Sequence, residues 1–275
     1  MRDYFGTPIA LHEKKLFLFD MDGTIYKDNR LFDGTKQLMA QIRRAGGNYV
    51  FITNNSSKSV TDYVAKVTSL GIDANASNFF TSAQAAALLL RERHPGKKVY
   101  CLGTRSLVAE LRTAGIRVTE LAEKDVEIAL VGFDTELTSE KLRTACEVLG
   151  RDVAYYATNP DLCCPVEFGF IPDCGSICGM LRNCTGKEPA YIGKPEPLMV
   201  EIALSRFHAC KEEAAVVGDR LYTDIAVGLN AGITSICVLT GEATPEEIKS
   251  GDIKPTYTFS SVKEIYQALY KQSES

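Results

Sequence analysis

Short, unbroken apolar runs alternate along this chain with longer stretches in which apolar residues recur every three or four positions. Leu16-Phe17-Leu18-Phe19, Tyr49-Val50-Phe51-Ile52 and Ala214-Ala215-Val216-Val217 are of the first kind. Apolarity at every position, rather than every second one, predicts strands covered on both faces, as in a parallel sheet. Between the first two runs, Leu38 and Ile42 lie four apart in a predicted helix that Asp33 would cap and Gly46-Gly47 would end. Further helices are predicted from Ser57 or Ser59 to Leu70, before Gly71, and from Ser82 to about Arg93. The pattern then restarts: strand 98–102, helix 106–113, strand 116–119, strand 128–132, helix 139–149, strand 153–157. Residues 159–176 are rich in turn formers, with Gly175 and Ser176 read as a flexible point before a helix to about Arg182. Beyond them come strand Tyr191-Ile192, a helix to about Phe207 with prolines in its first turn, and the run 214–217. A helix ending near Gly228, strand 235–239, edge strand 256–259 and closing helix 262–269 complete the reading.

This alternation predicts an α/β fold, a Rossmann-like parallel-sheet core with an inserted α/β domain. The insertion, of about a hundred residues, is too long for a loop within a compact domain. The expected partition is 1–79 and 179–275 for the core and 80–178 for an α/β cap. An insertion after the second strand is expected above the sheet's carboxyl edge, where it can exclude water.

Composition narrows the function classes. The chain has 275 residues, 45% of them apolar, enough for a substantial core. A formal charge of -4 without any basic cluster argues against nucleic-acid or acidic-membrane surfaces. Residues 1–13 lack the apolar core of a signal peptide, and Ala83–Leu90 is too short to span a bilayer, so a cytoplasmic location is expected. Nine cysteines, an odd number, read as free thiols; the cluster 163–184 has neither a C-x-x-C pair nor a nearby histidine, which speaks against structural zinc.

Polar residues follow several of the buried runs. Asp20-Met21-Asp22-Gly23-Thr24 follows the first, Thr53-Asn54-Asn55 the second and Gly218-Asp219-Arg220-Leu221-Tyr222-Thr223-Asp224 the run 214–217, while Gly193-Lys194-Pro195 opens a helix. Open α/β sheets bind ligands at the carboxyl ends of their strands, so these residues are expected to converge. Neighbouring carboxylates repel unless a cation or a phosphoryl group lies between them. Phosphoryl transfer uses this set: a carboxylate attacks phosphorus, hydroxyl and amide groups hold the equatorial oxygens, and lysine with a hard cation such as Mg²⁺ offsets charge. Taken singly, Lys194 reads as a solvated helix-start lysine, Asp219 as a cap, Asp224 as a helix-face carboxylate and Thr53 as a turn residue.

Together, Asp20-Met-Asp22-Gly-Thr24, Ile-Thr53-Asn54-Asn-Ser, Gly-Lys194-Pro and Gly218-Asp219-Arg-Leu-Tyr-Thr-Asp224-Ile resemble the haloacid dehalogenase superfamily. The resemblance is nearest to its N-acetylglucosamine-operon (NagD) and p-nitrophenylphosphatase-like branch, and it extends across nearly the whole chain. It implies a Mg²⁺-dependent phosphomonoester hydrolase with an aspartyl-phosphate intermediate, acting on small phosphorylated metabolites such as sugar phosphates or nucleoside monophosphates. It further implies Asp20 as nucleophile and metal ligand, and Asp22 as general acid/base whose carbonyl binds the metal. Thr53 and the Asn54 amide would hold phosphate, Lys194 would orient nucleophile and phosphate, and Asp219 would ligate the metal. Asp224 would support a metal-bound water or Lys194. Asn159 and Asp161 match a loop that lies near the domain interface in similar proteins; they are candidates for substrate contact, interdomain contact or plain turn service. A homodimer is one assembly left open. The competing readings are a phosphomutase, a carbon–halogen hydrolase, a signalling protein switched by aspartyl-phosphate, and a non-catalytic sensor of phosphorylated metabolites.

Overall fold

The computed structural model describes residues 1–166 and 168–273. They form two compact units, one of residues 1–52, 64–80 and 194–275, the other of 53–63 and 81–193. The expected partition placed the return crossing at 178–179; the structure places it at 193–194, and also assigns 53–63 to the second unit.

The first unit begins with β1 (Leu16–Phe19), whose four side chains are all buried. Burial of each contributes roughly 1.5–3 kcal/mol, which is why no polar residue interrupts the run. A small antiparallel hairpin follows, β2 (Tyr26–Lys27) with β3 (Arg30–Leu31), then helix α1 (Thr35–Arg44). Asp33 does not cap α1; Gly34 occupies that position with a left-handed backbone, and a Cβ there would come within 2.6 Å of the Lys263 backbone. A side-chain cap gives way to close packing. Strand β4 (Asn48–Thr53) lies parallel to β1, helix α2 (Val60–Ser69) is capped by reciprocal Ser59–Asp62 bonds, and β5 (Phe79–Thr81) is a three-residue edge strand.

The second unit comprises α3 (Ser82–Arg93), β6 (Lys98–Leu102), α4 (Arg105–Thr113), β7 (Arg117–Thr119), β8 (Ile128–Val131), α5 (Ser139–Leu149) and β9 (Ala154–Ala157). The stretch expected to be an irregular return crossing is instead an antiparallel hairpin, β10 (Cys163–Val166) with β11 (Gly169–Pro172), leading into α6 (Cys174–Thr185). Gly175 is no flexible joint: it lies in the first turn of α6, where a Cβ would fall 2.2 Å from the Pro160 carbonyl oxygen. Strand β12 (Ala190–Tyr191) pairs in parallel with β9, giving a five-stranded parallel sheet in the order β12-β9-β8-β6-β7. This pairing, and the packing of Ile177, Cys178 and Leu181 of α6 into the same core as Val131, Phe133 and Val148, assigns 179–193 to this unit.

The chain re-enters the first unit at Lys194 and continues through α7 (Leu198–Phe207), β13 (Ala214–Gly218), α8 (Ala226–Ala231), β14 (Thr234–Val238), α9 (Pro245–Ser250), β15 (Tyr257–Phe259) and α10 (Val262–Ser273). The sheet order is β15-β14-β13-β1-β4-β5, so β1 is central, between strands contributed by the two ends of the chain. No described helix is long and apolar enough to cross a membrane.

Candidate active site

Asp20 is the first residue beyond β1, and its amide still donates to the Val217 carbonyl of β13 at 2.8 Å. The backbone of the first acid is thereby fixed by the sheet. The chain then turns within five residues: the Thr24 and Ile25 amides return to the Met21 carbonyl, and the Gly23 amide bonds the Tyr26 carbonyl at 2.9 Å. Gly23 has φ +85°, a conformation side chains disfavour. A Cβ there would also lie 2.6 Å from Asp219 Oδ2.

Lys194 joins two stretches far apart in sequence. Its Nζ donates to Asp20 Oδ1 at 2.7 Å and to Asp224 Oδ1 at 2.5 Å, and reaches the Ile52 carbonyl at 3.4 Å. Only 2% of its side chain is exposed, against 17% for Asp20 and 1% for Asp224. Asp224 lies in a single π-type turn, Leu221–Ile225, and its Oδ2 accepts the Arg220 amide at 3.1 Å. Gly218 makes room for it, since a Cβ there would fall 2.2 Å from Asp224 Cβ. Asp219 is held from two sides: Thr24 Oγ1 donates to Oδ1 at 3.0 Å and the Glu242 amide to Oδ2 at 2.9 Å.

One carboxylate oxygen each from Asp20, Asp219 and Asp224 lies within 4.8 Å of the others. Three carboxylates facing one ammonium leave two negative charges, which a divalent cation cancels. Without a cation, burial and the crowding of the acids favour their protonated forms. Burial pushes the Asp20 carboxyl up to about 8, Lys194 works against the rise, and Asp224 and Asp219 add to it. Burial, then Asp224, lifts Asp219 to about 6, with the Glu242 amide opposing. Burial works to lower the Lys194 ammonium, but Asp20 and Asp224 outweigh it and the net shift is upward, so it stays charged. An all-oxygen, proton-hungry set of this kind fits a hard divalent cation. Asp22 has a side chain more than half exposed, with Lys66 Nζ 4.0 Å from its Oδ1. Lys66 also lies over the Tyr26 ring, 3.9 Å from its centroid.

Thr53 is the last residue of β4, and its Oγ1 accepts the Asn55 amide at 3.2 Å. Asn54 lies in the second unit with its partners: its Nδ2 donates to Asp161 Oδ2 at 2.9 Å, and its carbonyl accepts from Asn159 Nδ2 and Ser82 Oγ, both at 2.6 Å. Asn159 and Asp161 are buried at 0% and 3% exposure. The structure thus brings together Asp20, Lys194, Asp219 and Asp224 as one cluster, and Asn54, Asn159 and Asp161 as another. Sequence reasoning gave no role to Thr24 or to the Thr240-Gly241-Glu242 segment. The usable signal was a further strand, β14, followed by a Thr-Gly pair.

Residues 17–117 match the model of haloacid dehalogenase-like hydrolases, and residues 191–265 that described as HAD-hydrolase-like. An acid sugar phosphatase of Staphylococcus saprophyticus is 37% identical over 257 residues, 94% of this chain and 98% of the relative. Among solved structures, the 4-nitrophenylphosphatase of Thermotoga maritima superposes with a TM-score of 0.90 at 38% identity, covering 94% of this chain and 98% of that one. A glycerol phosphate phosphatase of Mycobacterium tuberculosis in complex with magnesium superposes with a TM-score of 0.86 at 32% identity, covering 94% and 76%. A parallel α/β core, an inserted second α/β unit and a buried three-acid, one-lysine cluster therefore coincide with likeness along nearly the full length, and the chain belongs to the haloacid dehalogenase-like hydrolases, in the branch of NagD and the 4-nitrophenylphosphatases.

Proposed function

We infer that this protein is a phosphatase that hydrolyses small phosphomonoesters, sugar phosphates foremost, through an aspartyl-phosphate on Asp20. The observation that carries the reading is the Lys194 ammonium bridging Asp20 and Asp224 beside Asp219. The names of the relatives, acid sugar phosphatase and 4-nitrophenylphosphatase, point to the same chemistry.

Asp20 Oδ attacks phosphorus, the ester P–O bond breaks, and the departing oxygen takes a proton from Asp22. Water then attacks the phosphoryl group, giving its proton to Asp22; the bond to Asp20 breaks and phosphate leaves. Asp22 suits this exchange because its side chain reaches solvent, whereas Asp20 is fixed by β13 and Lys194. Thr53 and the Asn54 amide are assigned to the phosphoryl oxygens, on the strength of their place at the end of the strand next to β1. Asn159 and Asp161 hold Asn54 from within their own unit, a supporting role rather than substrate contact. Mg²⁺ is the cation assigned: Asp20, Asp219 and, directly or through water, Asp224 would hold it, with the Asp22 carbonyl, and when bound it would supply charge neutralisation for phosphoryl transfer.

The test is phosphate release from p-nitrophenyl phosphate and a panel of sugar phosphates, with Mg²⁺ and with EDTA. Turnover that requires Mg²⁺ and vanishes in Asp20→Asn is expected. Equal turnover in that variant would remove Asp20 as the nucleophile.

A further inference from the structure

We infer that the loop after β14, Thr240–Ala243, is the positioning element for Asp219, fastened by an ion pair between Arg220 and Glu242. The inference rests on the reading of Asp219 as a metal ligand. Thr240 Oγ1 donates to the Gly23 carbonyl at 2.6 Å, which ties the loop to the turn carrying Asp22. Two residues on, the Glu242 amide meets Asp219 Oδ2 and the Ala243 amide meets the Asp219 carbonyl, both at 2.9 Å. Between them sits Gly241, where a Cβ would fall 1.8 Å from Asp219 Oδ2. The loop backbone therefore lies directly against the carboxylate, and only glycine allows the approach.

The ion pair closes a ring. Arg220 follows Asp219 in sequence, its amide donates to Asp224 Oδ2, and its Nε lies 3.0 Å from Glu242 Oε1. Glu242 in turn presents its amide to Asp219. One arginine thus connects two acids of the cluster to the loop that orients one of them. The pair is partly exposed, 16% and 37%, so its direct contribution to folding stability is small. Its contribution to cation binding is larger, because a carboxylate already fixed in its binding orientation loses little freedom when the ion arrives.

The sign of the Arg220 effect separates this role from plain electrostatics. Arg220→Met removes a positive charge near the cation site, so through-space charge alone predicts tighter Mg²⁺ binding. Loss of the fastening predicts weaker binding. Mg²⁺ dissociation constants are measured by calorimetry, without substrate, on the full chain and on Arg220→Met, Glu242→Gln and the double variant; melting temperatures in EDTA report the fold. Each single variant is expected to weaken Mg²⁺ binding roughly tenfold. The double variant should be no weaker than the poorer single, and all melting temperatures in EDTA should stay within a few degrees of the parent. In assays the Mg²⁺ needed for half-maximal rate should rise by more than kcat falls. Arg220→Met binding Mg²⁺ as tightly as the parent or more so, or additive effects in the double variant, would overturn the assignment. Because the readout is binding, a chain that binds Mg²⁺ yet releases no phosphate sinks the phosphatase reading and leaves this one standing.

Discussion

At the scale of single residues, Lys194 carries the largest burden. It is nearly fully buried, and its ammonium is the cation that Asp20 and Asp224 share. Lys194→Met leaves those carboxylates facing each other without it, and breaking a buried pair from one side costs about 3–5 kcal/mol. The expected outcome is a clear fall in melting temperature in EDTA, partly recovered by Mg²⁺, with turnover lost. A fall of the same size with and without Mg²⁺ would contradict the shared-charge account. Asp20, Lys194, Asp219 and Asp224 were legible as a set because each follows a buried apolar run or opens a helix. The clamp on Asp219 was not, because its donors are backbone amides of Glu242 and Ala243, and an amide leaves no mark in residue type. Asn159 and Asp161 were legible only as candidates for substrate contact, interdomain contact or turn service; that they hold Asn54 depends on a pairing more than a hundred positions apart.

At the scale of elements, legibility followed length and local chemistry. β6 and α5 fall at the residues their patterns predict, since unbroken apolarity and a capped amphipathic stretch leave little room for another outcome. β5, with three residues, is too short to show a period, and only its place in the sheet defines it, whereas the strand expected at Tyr191-Ile192 forms one residue earlier as β12. α9 carried a readable signal in Thr244 and Glu247, which form a capping box. α3 has the same device one residue before its expected start: Thr81 Oγ1 accepts the Gln84 amide, and the Gln84 side chain returns to the Thr81 amide. Thr81→Ala removes the side-chain half of that exchange and should cost about 1 kcal/mol of stability, read as an earlier urea midpoint at unchanged slope. Thr81→Ser keeps the hydroxyl and should recover most of the loss. Equal midpoints for Thr81→Ala and the parent would show that the cap contributes nothing at this helix start.

At the scale of the whole molecule, the partition into two units was the least legible feature. No composition shift marks residue 193; packing of α6 and pairing of β12 decide it. What the whole chain does share is the proton balance of its acidic cluster. Without metal, folding raises the Asp20 carboxyl from its ordinary 3.8 to about 8 and Asp219 to about 6. An acid raised in this way contributes stability that is complete below its ordinary value and is lost as pH climbs through the folded value. The metal-free protein should therefore lose stability steadily from about pH 4 to about pH 8 through these two groups. A divalent cation needs both carboxylates deprotonated, so its binding strengthens across the same window and releases protons as it does so. The gap between melting temperatures with Mg²⁺ and with EDTA should consequently widen from pH 5 to pH 8 at fixed ionic strength. Calorimetry near pH 6.5 in two buffers of different ionisation enthalpy should register net proton release on Mg²⁺ binding. A gap that narrows with pH, or proton uptake on binding, would mean that the cation does not enter among Asp20, Asp219 and Asp224.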